Sequence, residues 1–249
     1  MISIKSKEDI SIMRKGGAII AQILNDIVPM IQAGTTTEDL DQYCHERMIK
    51  AGGIPSCLNY QGYPKATCIS INEVVCHGIP SPEIVLKNND IVNIDLTIFY
   101  KNFHVDMSRS FAVGPLEENY RKLLEFTEKC LHEAILKCKP RASFGVIGQR
   151  ISELCAKTTY SIVEDYCGHG IGKKFHEDPQ VLHYKSSLKQ PLMQEGMTFT
   201  IEPMINMGVK ETILMNDGWT VKTKDLKYSC QFEHTIAITQ NSFEILTLP

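Results

Sequence analysis

The sequence predicts an α+β fold made of two related halves. One order of elements, two helices followed by strands, occurs twice, and no low-complexity linker divides the two passes. The repeat is one of element order, without strong identity between the halves. Residues 1–249 are therefore expected to form a single domain, long enough to bury a substantial core.

The elements follow in order. Ser6-Lys7-Glu8-Asp9 opens a helix whose apolar positions Ile10, Met13, Ile20, Ile23, Leu24, Ile27 and Val28 share one face; Pro29 and Gly34 interrupt it near its end. Thr35-Thr36-Thr37-Glu38 fits a capping box for a second helix, which Gly52-Gly53 would stop. Residues 66–71 and 91–113 read as strands, and 117–138 and 144–158 as two more helices. Strands return at 197–205, 211–215 and 229–239.

Composition narrows the class. The chain is 43% hydrophobic and 22% charged, ordinary for a globular protein. A net charge of −3 gives no broad footprint for nucleic acid. Charged residues run through positions 1–30, so no signal peptide is expected. No apolar run approaches the roughly 18 residues of a membrane span. Nine cysteines, none spaced as CxxC, argue against a zinc ribbon or a disulfide framework and for a reducing cytosol.

Asp95, Asp106, His169, Glu202 and Glu233 each lie in a strand-like or Gly-rich stretch. Buried carboxylates repel one another, and a site that gathers four of them needs cations. The first pair can be placed by register. With Lys101-Asn102 as a two-residue loop, Asp106 lies opposite Thr97 and Asp95 opposite Ser108. Asp95 and Thr97 share a face, so the two aspartates are diagonal neighbours, roughly 7–8 Å apart at the backbone. The alternative, in which one Asp faces solvent or belongs to the turn, stays open at this point.

Other motifs carry less chemistry. Gly168-His169-Gly170-Ile171-Gly172 is not GxGxxG, and His45-Glu46 and His132-Glu133 lack the second histidine of HExxH. Cys76 and His77 are neighbours on a strand, which points them to opposite faces and makes a poor thiol dyad.

Five stretches resemble the type I methionine aminopeptidases: Ser56 to Lys65, Ile69 to Pro80, Asn93-Ile94-Asp95 with Asp106, Cys167 to Gly172 through Phe175-His176-Glu177-Asp178-Pro179, and Thr200-Ile201-Glu202-Pro203 with Trp219 and Glu233-His234-Thr235. The resemblance covers essentially the whole chain. It implies the pseudo-twofold pita-bread fold, with a curved, antiparallel-rich central sheet and helices on its outer face. It further implies two divalent metals: Asp95 on one, Asp106 and Glu233 bridging both, His169 and Glu202 completing the second site. His77, His176 and Glu202 take the catalytic positions. Cys57, Tyr60, Tyr63, Cys68, His77, Phe175, His176 and Trp219 take those that contact substrate. Asn72, Val74 and Ser229 resemble the family's monovalent-cation loop.

The short stretch between His176 and Glu202 leaves no room for the helical insertion of type II enzymes, and no zinc-finger extension precedes the domain. Val105 and Met107 depart from the glycine and threonine common beside Asp106. One His and four carboxylates favour Mn, Fe or Co, with Zn compatible.

The implied activity is removal of the initiator methionine when the second residue is small, by metal-activated water. The implied setting is a cytoplasmic monomer that meets nascent chains and, transiently, the ribosome, with no sequence-specific nucleic acid and no membrane. Met1-Ile2 should then resist the protein's own activity, leaving Met1 in place. Two alternatives stand beside this reading: a catalytically silent pita-bread binding protein, which would have lost ligands, and a prolidase-type hydrolase, which would carry a large additional N-terminal domain.

Overall fold

A computed structural model describes residues 2–249, so Met1 and its expected retention lie outside the described residues. The first half runs α1 (Lys7–Asp26), α2 (Thr37–Lys50), β1 (Ile54–Pro55), β2 (Cys68–Ile71), β3 (Val74–Cys76), β4 (Ile91–Tyr100) and β5 (Phe103–Ala112). The second opens with α3 (Glu118–Ile135) and α4 (Gly145–Cys155). Ten short strands follow: β6 (Ser161–Ile162), β7 (Gly168–Gly170), β8 (Glu177–Val181), β9 (Thr198–Ile201), β10 (Met204–Asn206), β11 (Thr212–Leu214), β12 (Val221–Thr223), β13 (Ser229–Gln231), β14 (His234–Ile238) and β15 (Phe243–Ile245). Two helices followed by strands thus occur twice, as the sequence predicts.

Both opening helices of the first half begin at reciprocal caps. Ser6 Oγ accepts from the Asp9 N–H, and the Asp9 carboxylate accepts from the Ser6 N–H. On α2 the box sits one residue later than expected: Thr36 pairs with Asp39, because the acid must stand at the third helical position. Glu38 is thereby freed to pair with Lys65. Helix α1 buries Met13, Ile20, Ile23 and Leu24 against β4 and β5, each contributing about 1.5–3 kcal/mol.

The β4–β5 hairpin has the register expected from Lys101-Asn102, with Thr97 opposite Asp106 and Asp95 opposite Ser108. Lys101 (φ 46°) and Asn102 (φ 74°) are both left-handed, as a two-residue turn between twisted strands requires. Val105 and Met107 point away from Asp106 into the core beneath α1. The departures beside Asp106 therefore change helix packing, not the carboxylate face.

All strand pairings among the described residues are antiparallel. Hydrogen bonding divides the strands into four ladders, of which β1-β4-β2 with β5 and β15-β14-β9-β7-β8 are the largest. The stretches 197–205 and 229–239, expected as continuous strands, break at Glu202-Pro203 and at Phe232-Glu233. Proline lacks an N–H for the ladder, which accounts for the first break. The halves are joined by the β11-β12-β3 ladder, in which β12 pairs antiparallel with β3, and by side-chain hydrogen bonds. Asn93 Nδ2 and Ser110 Oγ donate to the Gln231 carbonyl at 2.9 and 2.6 Å. The Thr235 hydroxyl accepts from the Asp106 N–H and donates to the Asp106 carbonyl. Each half keeps its own apolar core beneath its own helix pair.

Candidate metal centre and active site

The five candidate ligands come from five backbone settings around this seam. Asp95 and Asp106 project from one face of the hairpin, where Thr97 Oγ1 donates to Asp106 Oδ1 at 2.8 Å. His169 sits on β7 between two glycines that admit the neighbouring strands. A Cβ at Gly168 would come within 2.5 Å of the Thr200 carbonyl oxygen, and one at Gly170 within 2.0 Å of the Asp178 carbonyl oxygen. The Gly170 carbonyl lies 2.9 Å from His169 Nδ1 and can only accept, so Nδ1 carries the hydrogen. Nε2 is left bare, 3.9 Å from Asp106 Oδ2 and 3.8 Å from Glu202 Oε1.

Glu202 and Glu233 occupy the two strand breaks, where the backbone turns out of the ladder. The Glu202 N–H donates to His183 Nε2 at 3.1 Å, and its carboxylate accepts from Thr200 Oγ1 at 2.7 Å and Gln231 Nε2 at 3.3 Å. The Glu233 N–H donates to the Ser108 carbonyl at 2.9 Å.

Electrostatics concentrate here. Burial, with the Asp106 charge next, pushes Asp95 well above the ordinary carboxylate range, and Glu233 rises for the same reasons. Burial lifts Asp106 to about 7 against the opposing hydrogen bond from Thr97. Burial lifts Glu202 to about 8 against that from Thr200. His169 is pushed down to about 3 by burial, which keeps its ring neutral.

The residues fit a metal on two observations. One donor atom from each of Asp106, His169 and Glu233 lies within 4.8 Å of the others. Asp95 Oδ1 and Glu233 Oε1 are buried with no hydrogen-bond partner among the described residues. Buried carboxylate oxygens without a partner are costly unless a cation meets them. Asp95 and Glu202 border this trio through Asp106 and His169.

The residues expected as metal ligands, catalytic groups and substrate contacts all line one cavity of about 920 Å³, and Asn72, Val74 and Ser229 lie outside its lining. Cys57, Tyr63 and Cys68 form a buried patch against Phe175 and Trp219. Tyr63 is anchored through its hydroxyl, whose single hydrogen is shared between the Thr67 and Gly78 carbonyls, both at 3.0 Å. Its ring meets Trp219 edge-on at 5.1 Å. His77 leaves strand β3 with φ 56° and stands edge-on to Tyr166 at 5.6 Å; burial holds its pKa near 4. His176 lies 4.2 Å from the His169 ring and 2.8 Å from the Tyr60 hydroxyl. Burial lowers its pKa as well. Cys76 is buried with its thiol pushed well up, which suits packing and not nucleophilic attack.

Of the positions expected to form a monovalent-cation loop, Asn72 engages Asp90 and the Ile91 N–H through its side chain, while its carbonyl accepts from the Ser229 N–H at 2.8 Å.

Register already places Thr97 opposite Asp106; Thr200, on β9 two residues before Glu202, is signalled by alternation. His183, Gln231, Tyr166 and Met204 reach the site through long-range packing that no local pattern signals.

The fold and this cluster define a metallopeptidase. The chain belongs to metallopeptidase family M24, which it matches over residues 11–240. It is 48% identical over 248 residues to the methionine aminopeptidase of Escherichia coli K12, covering 99% of this chain and 94% of that one. It superposes on the crystal structure of methionine aminopeptidase from Rickettsia prowazekii with a TM-score of 0.97, at 43% identity and full coverage of both chains. Prolidase from Pyrococcus furiosus shares the pita-bread fold at a TM-score of 0.77 and 24% identity, covering 99% of this chain and 65% of the prolidase.

Proposed function

We propose that the chain is a metal-dependent methionyl aminopeptidase that removes the initiator methionine from nascent proteins whose second residue is small. The observation that carries this reading is one cavity holding both orphaned carboxylates and a sulfur- and aromatic-lined patch. Thiols and rings suit a thioether side chain. The silent-binder reading loses ground because all five candidate ligands are present and border one another, and the prolidase reading because the chain is 48% identical to a methionine aminopeptidase but 24% identical to a prolidase.

Asp95, Asp106, His169, Glu202 and Glu233 would hold two divalent ions, with Asp106 and Glu233 shared between them. When bound, such ions lower the pKa of water, polarise the scissile carbonyl and anchor the free α-amine of the substrate. The chain's own residues supply the rest. Glu202 takes the proton of the attacking water and passes it to the leaving amine. His176 donates a hydrogen bond to the carbonyl oxygen as negative charge develops there. His77 contacts the amide of the following residue. The patch at Cys57, Tyr63, Cys68, Phe175 and Trp219 receives the methionine side chain, with Tyr60 at its edge.

The oxygen-rich donor set favours Mn, Fe or Co, with Zn compatible. Asn72, Val74 and Ser229 are assigned a monovalent cation. Residues 1–249 act as one catalytic domain, a reading supported by the hydrogen bonds that stitch the halves. The enzyme works as a monomer in the cytosol and meets the ribosome transiently; the free cysteines of the chain favour a reducing compartment.

Metal analysis combined with hydrolysis of a Met-Ala-Ser peptide tests the proposal. Methionine release should vanish on chelation and return with added divalent metal. Full activity in exhaustively metal-stripped protein would sink it.

A further inference from the structure

His169 and His176, with ring centroids 4.2 Å apart, must present different nitrogens to do different work. For His169 the assignment is forced: the Gly170 carbonyl takes Nδ1–H and leaves Nε2 bare for a cation. For His176 the partner of Nδ1 is the Tyr60 hydroxyl at 2.8 Å, which is able to donate or accept.

We propose that Tyr60 is the positioning residue for His176: its hydroxyl donates to Nδ1, so the ring's single hydrogen stands on Nε2. The proposal rests on the reading of His176 as the donor to the scissile carbonyl, and deepens it. A phenol is a good donor and a weak acceptor, because its oxygen lone pair is shared with the ring. A bare imidazole nitrogen is a strong acceptor. Of the two ways to make this contact, phenol O–H to Nδ1 is therefore the stronger.

The Tyr60 side chain is also held in place. It sits in a tight turn flanked by left-handed Asn59 (φ 64°) and Gln61 (φ 49°). That turn is closed by Tyr60 N–H to the Cys57 carbonyl at 3.0 Å and Tyr63 N–H to the Tyr60 carbonyl at 2.9 Å. Phe175 stacks on His176 at 4.4 Å and packs against the Tyr60 ring at 4.9 Å. Stacking fixes the plane of the imidazole but leaves it free to turn over within that plane. The Tyr60 hydroxyl picks which edge, and which nitrogen, faces the carboxylate cluster. Without it the ring samples both tautomers and both faces, and only part of the population can donate from Nε2.

The test is nitrogen NMR of the zinc-loaded protein, which is diamagnetic, together with Met-Ala-Ser kinetics. In the wild type, His176 should show a protonated Nε2 and a bare Nδ1. In Tyr60→Phe, which keeps the ring, the two signals should move towards one another by exchange. Its kcat should fall about 5- to 10-fold, the loss of one hydrogen bond, with KM and metal content unchanged. Tyr60→Phe should have no further effect in a His176→Ala background. A protonated Nδ1 in the wild type, or the full Tyr60→Phe loss persisting in the His176→Ala background, would overturn the proposal. Unchanged kcat in His176→Ala, with the Nε2–H signal in place, would instead remove the role assigned to His176 and leave the Tyr60 contact standing.

Discussion

The backbone N–H of Glu202 donates to Nε2 of His183 across 3.1 Å, in the break between β9 and β10. His183 is 1% exposed, and burial holds its pKa near 3, so the imidazole stays neutral and Nε2 stays an acceptor. This contact fixes the turn that points Glu202 at the cluster. His183→Leu should leave the N–H unpaired and cost roughly 1–3 kcal/mol in denaturant unfolding. Metal affinity, read by calorimetric titration, should fall with it. His183→Gln keeps an acceptor and should recover part of both losses. Equal losses in the two variants would assign His183 to packing alone.

Asp106 and Glu233 stand in the trio with His169 and are assigned to both metals. Alanine at either position should abolish activity and lower total bound metal, measured by elemental analysis after dialysis. Alanine at Asp95, assigned to one metal, should spare more of the bound metal. Retention of two ions per chain in Asp106→Ala would break the bridging assignment.

Metal-free stability should depend on pH in a definite direction. Asp106 and Glu202 titrate near 7 and 8 in the folded chain, above their unfolded values, because burial penalises the charged form. Their stabilising contribution is complete below the unfolded values near 4 and is lost as pH rises through 7 to 8. The buried histidines work the other way: His169 and His183, held near 3, lose stability only as pH falls below about 6.5. Between pH 6.5 and 8.5 the carboxylates therefore dominate. The metal-free protein should lose about 1.4 kcal/mol per pH unit for each proton that only the folded state holds. Saturating divalent metal should flatten that slope, because cations replace the protons. Calorimetric melting with and without metal checks the sign, and a rising metal-free Tm across this window contradicts it.

The hairpin was legible in the sequence because a two-residue loop fixes every pair along two long strands, and Thr97 opposite Asp106 followed directly. The cap of α2 falls one residue later than Thr35-Thr36-Thr37-Glu38 suggests, because consecutive threonines offer the same signal and only the Asp39 partner separates them. The break after Glu202 carries a sequence signal, Pro203, which demotes a continuous strand. The break at Phe232-Glu233 carries none, because strand propensity is a property of side chains and both residues are compatible with a strand. His183 and Gln231 were invisible for a related reason: they serve Glu202 across long separations in the chain, and no local periodicity records such a contact.

The residue after methionine should be restricted to small side chains. His77, assigned to the residue after methionine, is braced from behind: it stands edge-on to Tyr166 at 5.6 Å and to Trp219 at 6.3 Å, and Trp219 in turn rests on the Tyr63 ring of the methionine patch. A packed wall of this kind cannot retreat from a branched or long side chain without strain of roughly 1–3 kcal/mol, about 10- to 200-fold in kcat/KM. Met-Ala, Met-Gly and Met-Ser peptides should be cleaved well, and Met-Ile, Met-Leu and Met-Lys poorly. The sequence carries its own case, since it begins Met1-Ile2. Intact-mass analysis of protein expressed with active enzyme present should find Met1 retained. Rapid release of methionine from a Met-Ile peptide would show that the wall yields and that the small-residue rule does not hold for this enzyme.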